Sequence, residues 1–406
     1  MRLTLFALKN VGRNKRRTAA LLVLTSLGGA ALLLAGGYAA ATFRGLREST
    51  IRNGIGHLQI GGVGFREPEE KPLSRGLADL EGARRLVLAD PRVKAAAGRI
   101  EFTGLASNGE KSVAVMGRGV EAAQEYDRAG FSLRLLEGRS LAAGDRGTAV
   151  LGEGLARSLR LKVGDRLTLL SATVEGAING LDTEVVGVYT TGVREMDERS
   201  VVVGLDTAQA LLDTTRVSKL VVLLGDTRDT AAVQADLTRV FAASGAAVEI
   251  ANWSDLATLY HQVRGLYSGI FAFLGIIITG LVVLSAGNAM TMSVLERVRE
   301  IGTQMAMGTG RLRILSMFVV EGLAIGALGG LLAVGIGYAD AVLLTRAGIL
   351  MPPPPTFTRG FPLVIDVVPA LTLGVGLLMT LTLGVASVLP AARAARLRIT
   401  DALGHV

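Results

Sequence analysis

The densest group of reactive side chains is Glu296, Arg297, Arg299 and Glu300, inside a stretch from Met290 to Glu321 that reads MTMSVLERVREIGTQMAMGTGRLRILSMFVVE. On a short helix, Glu296 and Glu300 stand four apart on one face with Arg297 beside them, while Ile301, Met305 and Ala306 form an apolar side. Gly302 falls within that helix. Gly308 and Gly310 offer a helix end and a turn before Arg311 and Arg313. The chemistry on offer is ion pairing and docking rather than bond making. Such an amphipathic helix could seat in a groove of a cytoplasmic partner, or it could lie on lipid with its arginines among headgroups. Pattern alone leaves both uses open.

Catalytic and metal chemistry have little to work with. No G-x-x-x-x-G-K-[ST] phosphate loop, G-x-S-x-G elbow or His-Glu-x-x-His helix occurs, and there is no cysteine. The three histidines, His57, His261 and His405, lie far apart and show no metal-ligand spacing. The expectation is a non-enzymatic chain that itself binds no metal or cofactor. Three polar residues, Asn288, Glu321 and Asp340, fall inside or beside long apolar runs. A carboxylate there is costly and faces protein, water or a partner charge. Glu321 is therefore either a coupling or gating residue, or a structural group near the cytoplasmic interface that caps a hydrogen bond or reaches Arg311 or Arg313. Asp340, near the other end of its run, is expected to snorkel outward.

These residues must be carried by membrane spans. Half of the 406 residues are hydrophobic, and the excess is concentrated in four long uncharged runs, each able to cross a bilayer that needs about 20 residues. The third is long enough to tilt. The net charge of +8 could suggest nucleic acid, but its cations sit beside the spans. Arg2, Lys9, Arg13, Lys15, Arg16 and Arg17 precede the first run, and Arg393, Arg396 and Arg398 follow the last, which places both termini in the cytoplasm. The first run exceeds a signal-peptide core of about 7 to 15 residues and reads as a retained anchor. Gly326, Gly330 and Gly335, with Gly337, Gly374 and Gly384, are expected to let helices approach closely.

The predicted layout is a basic cytoplasmic N-terminus (1–18), a first span (19–43), an external α+β domain (44–265) and a second span (266–292). A cytoplasmic helix and turn (293–314), a third span (315–345), a short external loop (346–366), a fourth span (367–392) and a cytoplasmic C-terminus (393–406) complete it. Met351 to Pro355 stiffens that loop. The fold class is thus a membrane α-helical protein, one span plus three, with a large α+β extracytoplasmic domain. Within that domain, Asn108-Gly109 and Asn179-Gly180 each suggest a hairpin turn. Lys219 to Leu224, Thr230 to Ala243 and Ala247 to Ile250 read as a βαβ-like unit. Two lobes are expected, with strand-rich ends bracketing a central block from about Leu136 to Asp213.

The segment ERVREIGTQMAMG, with Asn288 before it and Glu321-Gly322 and Gly329-Gly330 after it, resembles the signature of the FtsX/MacB-type (type VII) ABC permeases. Pro390 to Arg396, Asp401-Ala402-Leu403, and the opening Ala7, Asn10 and basic residues fit the same pattern, so the likeness covers essentially the whole chain. Gly56 to Ile60, Leu136 to Arg139, Gly152 to Ala156 and Leu161 to Asp165 look most like the outer domain of LolC/LolE-type lipoprotein-releasing permeases. The resemblance implies a bacterial inner-membrane subunit with a MacB-like core domain, working with a separate ATPase dimer that holds ATP and magnesium. It also implies a second copy or a paralogous permease, and a periplasmic lipoprotein substrate or adaptor. Nucleic acid is not among the partners. Carried onto this chain, the ATPase-coupling residues would be Glu296, Arg297, Arg299, Glu300, Ile301, Gly302, Gly308 and Arg311. MacB-like efflux of a peptide or antibiotic, and FtsX-like signalling to a cell-wall hydrolase, are the alternatives within the superfamily.

Overall fold

The structure is a computed structural model that describes residues 15–66, 72–128, 134–351 and 361–396. Pro352 to Pro355, the residues before Lys15, and those after Arg396, including Arg398, Asp401 to Leu403 and His405, lie outside the described residues. A first long helix, α1 (Lys15–Thr50), is followed by β1 (Leu58–Gly62), α2 (Leu80–Leu88), β2 (Val93–Ser107) and β3 (Ser112–Val120). Next come β4 (Arg134–Gly138), β5 (Thr148–Gly152), α3 (Glu153–Leu159), β6 (Arg166–Ala172) and β7 (Ile178–Thr190). β8 (Ser200–Gly204), α4 (Leu205–Leu212), β9 (Lys219–Leu224), α5 (Thr230–Ala243) and β10 (Val248–Asn252) follow. The chain then enters the helices α6 (Thr258–Glu296), α7 (Val298–Ala306), α8 (Arg311–Arg346) and α9 (Pro369–Ala395). Two compact units result, one built on Leu46–His261 and the other on Gln262–Met351 with the flanking spans.

The first unit is organised on a ten-stranded mixed sheet in the order β10-β1-β9-β2-β3-β8-β5-β7-β4, with β6 paired to both β2 and β7. Because β6 bridges those two, the pairings β2-β3-β8-β5-β7-β6 form a closed circuit, which removes most exposed edges. Ile100, Phe102, Leu151, Leu167, Leu169 and Val201 belong to the core that this circuit shares with the rest of the sheet. Strands of the predicted central block supply most of the circuit, and β10, β1 and β9 extend the sheet beyond β2. These three strands join the circuit through the pairing of β9 with β2.

The Asn108-Gly109 hairpin forms as the sequence suggests. β2 and β3 pair down to Ser107 opposite Ser112, Gly109 has φ of +92°, and the Asn108 carboxamide oxygen accepts from the Glu110 and Lys111 N–H groups. The Asn179-Gly180 hairpin does not. Those residues lie within β7, and the turn sits earlier, at Thr173 to Ala177, where Gly176 takes φ of +95°. Gly176 supplies the positive dihedral, which frees the Asn179 amide to donate to the Ala210 and Leu211 carbonyls at the end of α4, at 3.1 and 3.0 Å. β9, α5 and β10 form the predicted βαβ-like unit, in which both strands run antiparallel to β1 between them.

In the second unit, α8 and α9 pack along a face of glycines. A Cβ added at Gly322 would lie 2.8 Å from the Leu383 carbonyl oxygen, one at Gly326 would lie 2.8 Å from the Thr380 Cα, and one at Gly330 would lie 3.0 Å from the Gly376 oxygen. Gly329 and Gly337 meet Thr25 and Leu33 of α1 in the same way. Gly335 and Gly374, expected to pack, meet nothing within 4 Å. α6 leaves Phe273, Ile276, Leu281 and Leu284 exposed, as a lipid-facing helix does.

In the first unit, His57 is buried, its Nδ1 accepts from the Leu224 N–H at 3.1 Å, and its Nε2–H donates to the Thr227 hydroxyl at 3.0 Å. Burial, the largest cause, pushes its pKa down to about 4, with Arg52 and Arg47 adding to the effect against Glu48 and Asp226. The unfolded chain therefore binds a proton more readily than the native one between pH 6.5 and 4. His57's contribution to stability is complete above that window and is lost as pH falls through it. The thermal midpoint of the native chain should drop across this interval more steeply than that of His57→Asn, as followed by differential scanning fluorimetry.

Candidate coupling segment

The helix α6 ends at Glu296 because Arg297 leaves helical geometry, with φ of −116° and ψ of 14°. Arg297 is instead the N-cap of α7, and its carbonyl accepts from Ile301 at 2.9 Å. At the other end, Gly308 takes φ of +88°, which only glycine adopts readily, and its N–H donates to Met305 at 3.0 Å. Gly310 then caps α8. A nine-residue helix is thus set between two breaks, and its position depends on what its inner face touches.

That inner face is apolar and buried. Val298 and Ile301 lie beneath α7, and Ile301 joins a cluster with Val294, Ile314, Phe318, Ala391 and Ala394. At the centre lies an ion pair. The Arg297 Nη1 donates to the Glu321 carboxylate at 3.2 Å and its Nε donates to Glu300 at 3.2 Å, while the guanidinium stands 5.6 Å from the centre of the Phe318 ring. Glu321 is 1% exposed and Arg297 11%. A buried guanidinium held by two carboxylates and an aromatic face fixes the N-terminus of α7 onto α8.

The structure therefore divides the residues that the sequence grouped as ATPase contacts. Ile301 and Gly302 are buried on the inner face of α7, and Arg297 turns its guanidinium to Glu321 on α8. Arg299, Glu300, Gly308 and Arg311 are exposed. Glu296 is exposed too, but it closes α6 and does not share the short helix with Glu300, since the break at Arg297 comes between them. Glu321 does not reach Arg311 or Arg313. Even Arg313 lies eight residues back, about 12 Å along the helix. Its partner is Arg297, 24 residues away and brought close only by the fold of α7 onto α8. The signal that could have found it is the demand of a carboxylate in a span for a cation. Asn288 is exposed on α6, and Asp340 lies about 28 Å along α8 from Glu321, so neither joins this cluster. Gly326 and Gly330 pack against α9; Gly335 does not.

The family described as MacB-like periplasmic core domain matches residues 18–240, and the family described as FtsX-like permease C-terminal matches residues 270–399, which includes the whole coupling segment. The chain belongs to the FtsX/MacB-type ABC permeases. An uncharacterized ABC transporter permease, YknZ of Bacillus subtilis, is 27% identical over 227 residues, 53% of this permease and 55% of YknZ. A macrolide export ATP-binding/permease protein, MacB of Hyphomonas neptunium, is 33% identical over 104 residues, 25% of this permease and 16% of MacB. This chain thus matches about half of the first relative's length and a much smaller share of the second's. The crystal structure of the extracellular domain of YknZ from Gram-positive bacteria aligns with 48% of this permease and 99% of that domain, at 15% identity and a TM-score of 0.36. With four helices among the described residues long and apolar enough to cross a bilayer, this permease is a multi-pass membrane protein.

The ion pair makes its own prediction. Arg297→Met takes the guanidinium away from Glu321 and Glu300 and should destabilise the permease by about 1 to 3 kcal/mol, whereas Arg297→Met with Glu321→Gln should recover part of that loss. Thermal unfolding in detergent measures both.

Proposed function

We propose that this permease is the membrane subunit of an ABC-type complex in the bacterial inner membrane, with both termini cytoplasmic and with a separate ATPase dimer docking on the exposed side of α7. The observation that carries this reading is the construction of α7, clamped inward by Arg297 and Glu321 while Arg299 and Glu300 point outward. A partner that moves a clamped helix moves the spans joined to it. ATP and magnesium belong to the partner, in keeping with the lack of a phosphate loop in this sequence. Two ATPase subunits call for two permease halves, supplied by a second copy or a paralogous chain.

For the cargo, we propose release of a lipid-anchored protein from the inner membrane. The LolC/LolE-like order of outer motifs, from Gly56 to Ile60 through Leu161 to Asp165, supports it. The likeness to MacB favours a second reading, efflux of a peptide or antibiotic from the periplasm. Stimulation of ATP hydrolysis by a lipoprotein or by a soluble peptide separates the two.

Docking is tested by Arg299→Ala, an exposed position outside the Arg297 clamp, in the permease co-produced with its ATPase. ATPase retention on the purified, membrane-inserted permease should fall about tenfold, as expected for loss of one favourable charged contact of ~1.4 kcal/mol. Unchanged retention and unchanged cargo-stimulated hydrolysis would remove α7 as the docking element.

A further inference from the structure

Where α8 finishes and α9 begins, the second unit contains a cavity of about 300 Å³ between α1, α8 and α9. Leu33, Val334, Ala341, Ile365, Val368 and Leu371 supply most of its wall. Thr372 and Asp366 beside it are already engaged. The Thr372 hydroxyl donates to the Val368 carbonyl at 3.1 Å, the Asp366 carboxylate accepts from Arg44 at 2.5 Å, and the Asp366 N–H donates to the Gly37 carbonyl at 3.1 Å. Water needs two to four polar partners in such a space and finds few here. The occupant that suits the wall is hydrocarbon.

The cavity is built into the packing. A Cβ at Gly36 would lie 2.6 Å from Leu371, and one at Gly37 would lie 2.5 Å from the Asp366 carbonyl oxygen, so these glycines let the start of α9 press directly on α1. Opposite, Gly335 leaves the α8 wall without a side chain, and a Cβ there would meet nothing within 4 Å. The rim has the character of a membrane interface. Tyr338 lines the cavity and is 57% exposed, the Arg44 guanidinium is 58% exposed, and Arg346 closes α8 at the same end. Arg44 uses one nitrogen on Asp366, and a guanidinium has further N–H donors suited to a phosphate.

We propose that this cavity binds one acyl chain of a bilayer phospholipid, with the lipid phosphate at Arg44. The hydrocarbon fills the space left by Gly335 and the headgroup meets the cationic rim. This site is independent of which cargo the permease handles and of how it engages an ATPase.

The test uses the full chain in vesicles of phosphatidylethanolamine and phosphatidylglycerol doped with a phospholipid that carries a photoreactive group on its acyl chain. After irradiation, peptide mass spectrometry should place labelling at Val334, Tyr338 and Leu371 well above the lipid-facing residues Ile276 and Leu284. Gly335→Leu fills the cavity and should lower the Val334 and Tyr338 labelling about tenfold, which corresponds to ~1.4 kcal/mol of binding. Gly280→Leu, an equal addition at an open position on α6, should leave it unchanged. Even labelling along α6 and α8 in the unaltered chain overturns the site without recourse to any variant. Equal labelling in the two variants overturns it as well, as does displacement of the phospholipid by a diacylated peptide at equal mole fraction, which would make a lipid anchor the occupant.

Discussion

The Arg297–Glu321 ion pair is the constraint on which the membrane unit's most specific feature depends. Burying two charges is expensive, and a well-packed apolar pair could often replace them at little loss of stability. What the charges add is direction. Arg297 sits at a helix break, and its guanidinium reaches Glu321, Glu300 and the face of Phe318 together. Those contacts fix where α7 begins and how it lies on α8. With Gly308 and Gly310 shaping the far end, a helix too short to be stable alone becomes a bracket between two spans.

The bracket in turn rests on glycine. Close approach of α8 and α9 through Gly322, Gly326 and Gly330 brings Ala391 and Ala394 into the cluster beneath Ile301. Larger residues at those glycines would move α9 outward and open the seam that buries the apolar side of α7. Polar clamp and glycine packing therefore support the same element, and the outward residues Arg299 and Glu300 are presented on a surface whose position is already set. That presentation is what the proposed docking role of α7 draws on.

Much of this was legible in the sequence where the signal is local. Hydropathy identified four runs, and the described residues contain four long apolar helices. Asn108-Gly109 encoded a turn and Gly109 supplies its positive dihedral, while Asn179-Gly180 misled because Gly176 stood three residues before Asn179 and took that role. The short helix was readable from its apolar side, but its start was not, since Arg297 leaves the helix for a partner that only tertiary packing supplies. Glu321 was recognised as a residue in need of a cation. The nearer arginines along its own helix hid the true one, 24 residues back in the chain. Gly335 shows the same limit, because a glycine that packs a helix and one that opens a cavity are identical until the neighbouring helices are placed.

The claim that α7 is clamped rather than hinged can be tested directly, because the chain has no native cysteine to compete with introduced labels. Spin labels on Thr303→Cys in α7 and Leu328→Cys in α8, both outward-facing positions, report the distance between the two helices. Pulsed electron–electron resonance should give one narrow distribution in the otherwise unaltered permease and a broad one when Arg297→Met is added. A broad distribution in the unaltered permease, or the same narrow one in both, would contradict the account.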